Sequence, residues 1–155
     1  MTLLLKQIFN LLKLLNSDTG TISLSSGIAL GFVLGMSPFL SLQGLLIIIL
    51  CLFFRVQLGA LFVSSFFFGF AAYLMDPMFH SIGTKLLTDP GLKSLWTTLF
   101  NMPLIPLTRF NNTIVLGAGV LGFALTPVVF ILSNILIKKY RELIVERIKN
   151  TKLWK

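Results

Sequence analysis

The sequence predicts an all-α, polytopic integral membrane protein. Its parts are a re-entrant or broken-helix hairpin, two longer transmembrane helices and amphipathic helices at both termini. Three observations carry this. Of 155 residues, 55% are hydrophobic and 12% charged, with a mean hydropathy of +0.92; soluble domains carry about 25% charged residues. Gly27, Gly31 and Gly35 recur at every fourth position, followed by Ser37-Pro38, a lone amide at Gln43 and an apolar run. Two further hydrophobic segments, residues 56–75 and 113–137, are long enough at about 1.5 Å per residue to cross about 30 Å of hydrocarbon.

The elements follow in order within one membrane domain, residues 1–155. Residues 2–16 are amphipathic, with Thr2, Lys6, Gln7, Asn10 and Lys13 on a polar stripe. As a helix they cover about 22 Å, too short to span, so an interfacial position with lysines toward headgroups is expected. The lysines lie inside the apolar run, and no small-x-small cleavage site follows it, so this segment is expected to be retained.

Residues 22–54 form the hairpin. The glycine spacing strips one face of a helix of side chains and lets another helix backbone approach closely. Pro38 lacks an amide hydrogen and disfavours helix at Ser37, so a break is expected there. Arg55 closes the second short helix and should sit near an interface, because a buried arginine costs about 2.5–3.5 kcal/mol even on permissive insertion scales. A re-entrant hairpin and two thin complete spans both return the chain to its starting side.

Residues 56–75 are a span ended by Asp76-Pro77, where Asp76 is expected to cap a new helix beginning at Pro77. Residues 76–110 form a far-side cap, with an amphipathic helix over 92–101 carrying Trp96, and Pro103 and Pro106 beyond it. Residues 113–137 are the last span, ended by Lys138. Residues 138–155 read as a basic cytoplasmic amphipathic helix with Tyr140, Leu143, Ile144 and Ile148 on its apolar face and pairs Lys138/Glu142 and Glu146/Lys149. Seven of the thirteen lysines and arginines lie after Ile137. With Lys6 and Lys13 they place both termini in the cytoplasm by the positive-inside rule. The charge reads as topology and contact with anionic lipid, not as a nucleic-acid surface.

A glycine-rich helix, a Ser/Thr-Pro step, an apolar run and basic residues occur in that order twice, at residues 27–55 and 117–141. Interrupted hydrophobic segments in corresponding halves point to a midplane site in transporters. On that basis Ser37-Pro38 and Thr126-Pro127 are expected to face each other.

The pattern Gly31-x-x-x-Gly35-x-x-Pro38-x-x-x-x-Gln43, with Arg55 and Asp76-Pro77, resembles a family of small bacterial inner-membrane proteins known only as a domain of unknown function. The resemblance covers about residues 20–90. That family usually has Asn-Pro at the Asp76-Pro77 step. The resemblance implies a bacterial inner-membrane location and no particular activity. Relatives of the domain are sometimes fused to glycosyltransferase-like domains, and the family suggests a larger, lipid-moving envelope protein as partner.

The chemistry is sparse. Cys51 is alone, no Cys/His spacing suggests a metal, and no nucleophile–base pair, phosphate loop or carboxylate dyad exists among five acids. No catalytic residue, metal or cofactor is expected, and His80 reads as structural. The candidate groove for ligand or partner comprises Gly27, Gly31, Gly35, Ser37, Pro38, Gln43, Thr126 and Pro127. Arg55, Asp76 and Arg109 are candidate headgroup or interface residues. Asp76 also has Lys85 and Arg109 as candidate ion-pair partners. The expected role is the membrane subunit of a lipid-handling or lipid-transport envelope assembly. Its glycine face would take phospholipid or dock a larger membrane-anchored protein, with homo-oligomerisation a further option. The alternatives are a small-solute or ion transporter or channel with inverted repeats, and a structural membrane anchor recruiting a partner through the basic tail.

Overall fold

A computed structural model describes residues 2–38 and 41–150, with the side chains of residues 145 and 148–150 left out. Among the described residues six α-helices follow in order: α1 (Leu3–Leu15), α2 (Thr21–Met36), α3 (Leu42–Phe53), α4 (Leu58–Thr88), α5 (Lys93–Asn101) and α6 (Thr113–Asn150). No strand occurs among the described residues. Helices α2, α4 and α6 pack against one another along their lengths and make the core. Two of them, α4 and α6, are long and apolar enough to cross a membrane.

The glycines dictate how the core is arranged. Gly27 lies against Gln57 and Ala60, Gly31 against Leu61 and Ser64, and Gly35 against Ser65 and Gly69. Both series of numbers ascend, so α2 and α4 run parallel. A parallel neighbour needs a return segment between the two strokes, and α3 supplies it. Helix α6 runs back: Gly83 meets Thr113, Phe79 meets Gly117, and Gly122 sits by Val33 and Met36. The end holding α1, the start of α2 and the α3–α4 turn is the near end. The end holding residues 89–112 is the far end.

Helix α2 is apolar all round and is the central element, burying Leu24, Ala29, Phe32, Val33, Leu34 and Met36. It stops at Met36, where Ser37 turns extended ahead of Pro38 (φ −100°, ψ 152°). Ser41 then opens α3: its hydroxyl accepts from the Gly44 amide and donates to the Pro38 carbonyl. Helix α3 buries only Gly44, Ile47 and Cys51, a single i, i+3, i+7 face turned toward α2. Its remaining faces are bare leucine, isoleucine and phenylalanine, with Leu52 70% and Phe53 81% exposed.

Several expectations require correction. The chain does not leave the helix at Asp76-Pro77: α4 continues through Pro77 to Thr88. A helix-interior proline removes one amide and crowds the carbonyl four residues back, a cost of about 3 kcal/mol in an isolated helix. Here Ala72, Phe79 and Gly83 are buried on either side of it, so packing holds both halves in line. Asp76 is therefore a half-buried mid-helix residue, not a cap, and it pairs with neither Lys85 nor Arg109. Likewise α6 does not end at Lys138; it is one helix from Thr113 to Asn150, with Pro127 inside it. Thr126 bonds its hydroxyl to the Gly122 carbonyl at 2.7 Å rather than starting a turn. Lys138 and Glu142 are both exposed and unpaired. The expected Glu146/Lys149 pair, the Ile148 contact and residues 151–155 lie outside the described residues. One test follows for α4. Pro77→Ala restores an amide bond to Tyr73 and is expected to raise the thermal unfolding temperature in detergent while leaving the elution volume unchanged.

At the near end, α1 buries no residue fully. Its apolar face is open at Leu3, Leu4, Leu5, Ile8 and Phe9, and only its last turn is docked, with Leu14 against Gly59. Arg141 of α6 fixes that turn. Its Nε donates to the Leu15 carbonyl at 3.1 Å, Nη2 to the Ser17 carbonyl at 2.9 Å and Nη1 to the Thr21 hydroxyl at 3.5 Å. A cation placed on the last carbonyls of a helix also meets the negative end of its dipole.

Candidate functional site at the hairpin tip

The α2–α3 break and the far-end cap come together. Beyond α4, Asp89 caps a short 3-10 turn at Pro90–Leu92, its Oδ1 accepting from the Gly91 amide. Helix α5 follows, and Trp96 donates its indole N–H to the Leu86 carbonyl at 2.8 Å while stacking on Phe110. Pro103 and Pro106 then permit no helix, and a second 3-10 turn forms at Ile105–Thr108. Leu104 (φ 71°) and Arg109 (φ 57°) flank it in the left-handed region, unusual for residues with a Cβ. This turn folds back onto α3, and the Gln43 Nε2 donates to the Thr108 carbonyl at 3.2 Å across 65 positions of sequence.

Between the two segments lies a crevice of about 560 Å³. Leu42, Leu45 and Ile48 line its α3 wall, and Pro106, Leu107 and Arg109 the other. The wall is apolar and the rim is not. Arg109 is exposed, and its guanidinium has no hydrogen bond or ion pair with any described residue. The Gln43 Oε1 is buried without a donor, and so is the Ser37 hydroxyl at the break. Buried polar atoms normally find partners, and the Thr84 hydroxyl in the far half of α4 is a third orphan.

The predicted site residues divide accordingly. Gln43 and Arg109 come together at the tip, where the Gln43 amide bonds the carbonyl of the residue before Arg109, while Ser37-Pro38 form the break that Ser41 ties to α3. Gly27, Gly31 and Gly35 do not line an open groove: α4 closes that face along its length, and a methyl on Gly31 would run into the Ser64 hydroxyl and the Leu61 carbonyl. Thr126 and Pro127 do not face Ser37-Pro38. They lie beside Ser26, Ala29 and Leu30, toward the near end, on a separate cavity of about 350 Å³. Arg55 is exposed in the near-end turn between α3 and α4. His80 accepts or donates through Nδ1 to the Thr113 hydroxyl at 2.6 Å, a helix–helix link. Sequence reasoning missed Ser41, Pro106, Leu107 and Arg141. The Ser-x-x-Gly spacing from Ser41 to Gly44 was a readable capping signal; the others act through distant segments.

Comparison with known proteins bears on the whole arrangement. A bacterial family described as “Uncharacterized protein conserved in bacteria (DUF2062)” matches residues 6–144. The chain belongs to this family. The DUF2062 match runs from α1 well into α6, so it contains both walls of the crevice and all three core helices. A protein of Treponema pallidum (strain Nichols) described as “Uncharacterized protein” is 28% identical over 151 residues, covering 97% of this chain and 93% of that one. No solved structure matches.

Proposed function

We propose that this DUF2062 protein is a multi-pass protein of the bacterial inner membrane, with both termini cytoplasmic. It serves as the non-catalytic membrane subunit of an envelope lipid-handling assembly and docks a larger membrane-anchored envelope protein. The observation that carries the reading is the crevice at the hairpin tip: an apolar wall with a free guanidinium at its rim is the pattern of a lipid contact, not of an acid–base centre. The distribution of charge supports the orientation. Lys6, Lys13, Arg55, Lys138, Lys139, Arg141 and Arg147 gather at the near end, against Lys85, Lys93 and Arg109 toward the far end. The outer faces of α4 and α6 are apolar, with Leu74 80% and Leu136 65% exposed, as lipid or a partner helix requires. Because α4 occupies the glycine face, the partner's docking surface is assigned to the bare faces of α3 and α6. The inverted-repeat transporter has less support, since Thr126-Pro127 sits in an unbroken helix.

Two measurements test this. A pull-down of the full chain in mild detergent, with mass spectrometry of proteins and lipids, is expected to recover one larger envelope protein together with phospholipid; recovery of neither overturns the assembly reading. For orientation, single cysteines are placed at Ser94 and Ser17 in a Cys51→Ala background. A membrane-impermeant maleimide added to whole cells with a permeabilised outer membrane is expected to label Ser94→Cys and spare Ser17→Cys; the reverse pattern inverts the topology.

A further inference from the structure

We infer that the crevice between α3 and residues 106–109 holds one phospholipid of the far leaflet, its phosphate on Arg109 and an acyl chain along Leu42, Leu45 and Ile48. This rests on the membrane placement proposed above. Helix α2 has 16 residues and rises about 24 Å, less than the roughly 30 Å of a hydrocarbon core. The hairpin tip therefore stops short of the far surface, and the 3-10 turn descends to meet it, as the Gln43–Thr108 bond records. Irregular backbone at that depth persists only against protein or a polar environment.

Arg109 makes the demand specific. The far-end acids are Asp76 and Asp89; neither is paired with it, and Asp89 already serves the Gly91 amide. A guanidinium standing among leucine and proline near hydrocarbon needs an anion, and its planar fork suits phosphate oxygens. The walls need an apolar group as well, and a volume of about 560 Å³ lies within the roughly 300–1,000 Å³ usual for small-molecule sites. Free phosphate would leave those walls unused. A lipid satisfies both.

The test is native mass spectrometry of the full chain extracted in mild detergent, reading the fraction that retains one phospholipid. Wild type and Lys139→Gln, an exposed position at the other end, are expected to retain it. Arg109→Gln is expected to lower occupancy about tenfold or more, the size of one lost charge-assisted bond. Leu45→Trp fills the crevice and is expected to lower occupancy with Arg109 intact, which keeps the test alive if Arg109→Gln elutes as aggregate. Wild-type occupancy in both variants overturns the assignment. A large excess of inorganic phosphate is expected to leave the lipid in place; displacement by phosphate alone also overturns it, making the rim a simple anion site. Capture of the envelope partner without Arg109-dependent lipid fails this inference and spares the assembly. Arg109-dependent lipid without a partner does the opposite.

Discussion

Gly31→Leu is expected to leave little folded protein. A Cβ at Gly31 would overlap the Ser64 hydroxyl and the backbone of Leu61, and backbone in the middle of α4 cannot swing aside as a side-chain tip can. Overpacking a tight core costs about 1–3 kcal/mol, and more where backbone must move. Helices α2 and α4 would have to separate, and the damage would spread, since Ser64 also bonds the Ala60 carbonyl at 2.6 Å and approaches the Gly27 carbonyl. Gel filtration of a fluorescent fusion in detergent should show loss of the monodisperse peak. Gly119→Ala is the counterpart. A Cβ there meets nothing within 4 Å, so the substitution gains helix propensity of up to about 1 kcal/mol and should raise the unfolding temperature. Equal losses at positions 31 and 119 would mean that the close α2–α4 approach does not set stability. Had the glycine face been an external docking surface, Gly31→Leu would spare the fold and break only the complex.

Arg141→Ala is expected to release α1. The guanidinium ties together Leu15, Ser17 and Thr21, three points on the α1–α2 connection. Little else holds that connection: Asn16 reaches Tyr140 at 3.4 Å, and Leu14 and Leu15 pack on Leu24, Ala60 and Ile137. Bonds to a charged group contribute about 1.5–3 kcal/mol when buried, and this one is half-exposed, so a loss of about 2 kcal/mol is expected. That lowers the unfolding temperature by about 4–8 °C for a chain of this size. Limited proteolysis between residues 16 and 20 should accelerate in the same variant. Arg141→Lys reaches one carbonyl at a time and should fall between the two.

The prolines show how far local signals carry. Pro38 ends a helix as its chemistry requires, because Ser41 three residues later caps a fresh one and supplies the hydrogen bonds that a break otherwise loses. Pro77 and Pro127 carry the same chemistry and break nothing. Their helices are clamped by neighbours, Phe79 on Gly117 in one case and Gly122 by Val33 and Met36 in the other. The sequence contains the proline but not the clamp. The glycine ridge was legible as a ridge, and its partner was half legible: Ala60 and Ser64 are small residues four apart, facing the same ridge. The crevice had no local signal. Gln43 and Thr108 lie 65 positions apart, and only the fold-back after Pro103 and Pro106 joins them.

The parallel arrangement of α2 and α4 imposes an order on biosynthesis. Gly35 is made 34 residues before Gly69, the backbone it will touch (69 minus 35). At about 5–20 residues per second, the ridge waits roughly 2–7 seconds for its partner. During that interval the α2–α3 hairpin has made only its own thin contact and has no folded core of its own. The glycine ridge of α2 therefore stays bare until Ser64 arrives, so the α2–α3 hairpin is made first but cannot fold first.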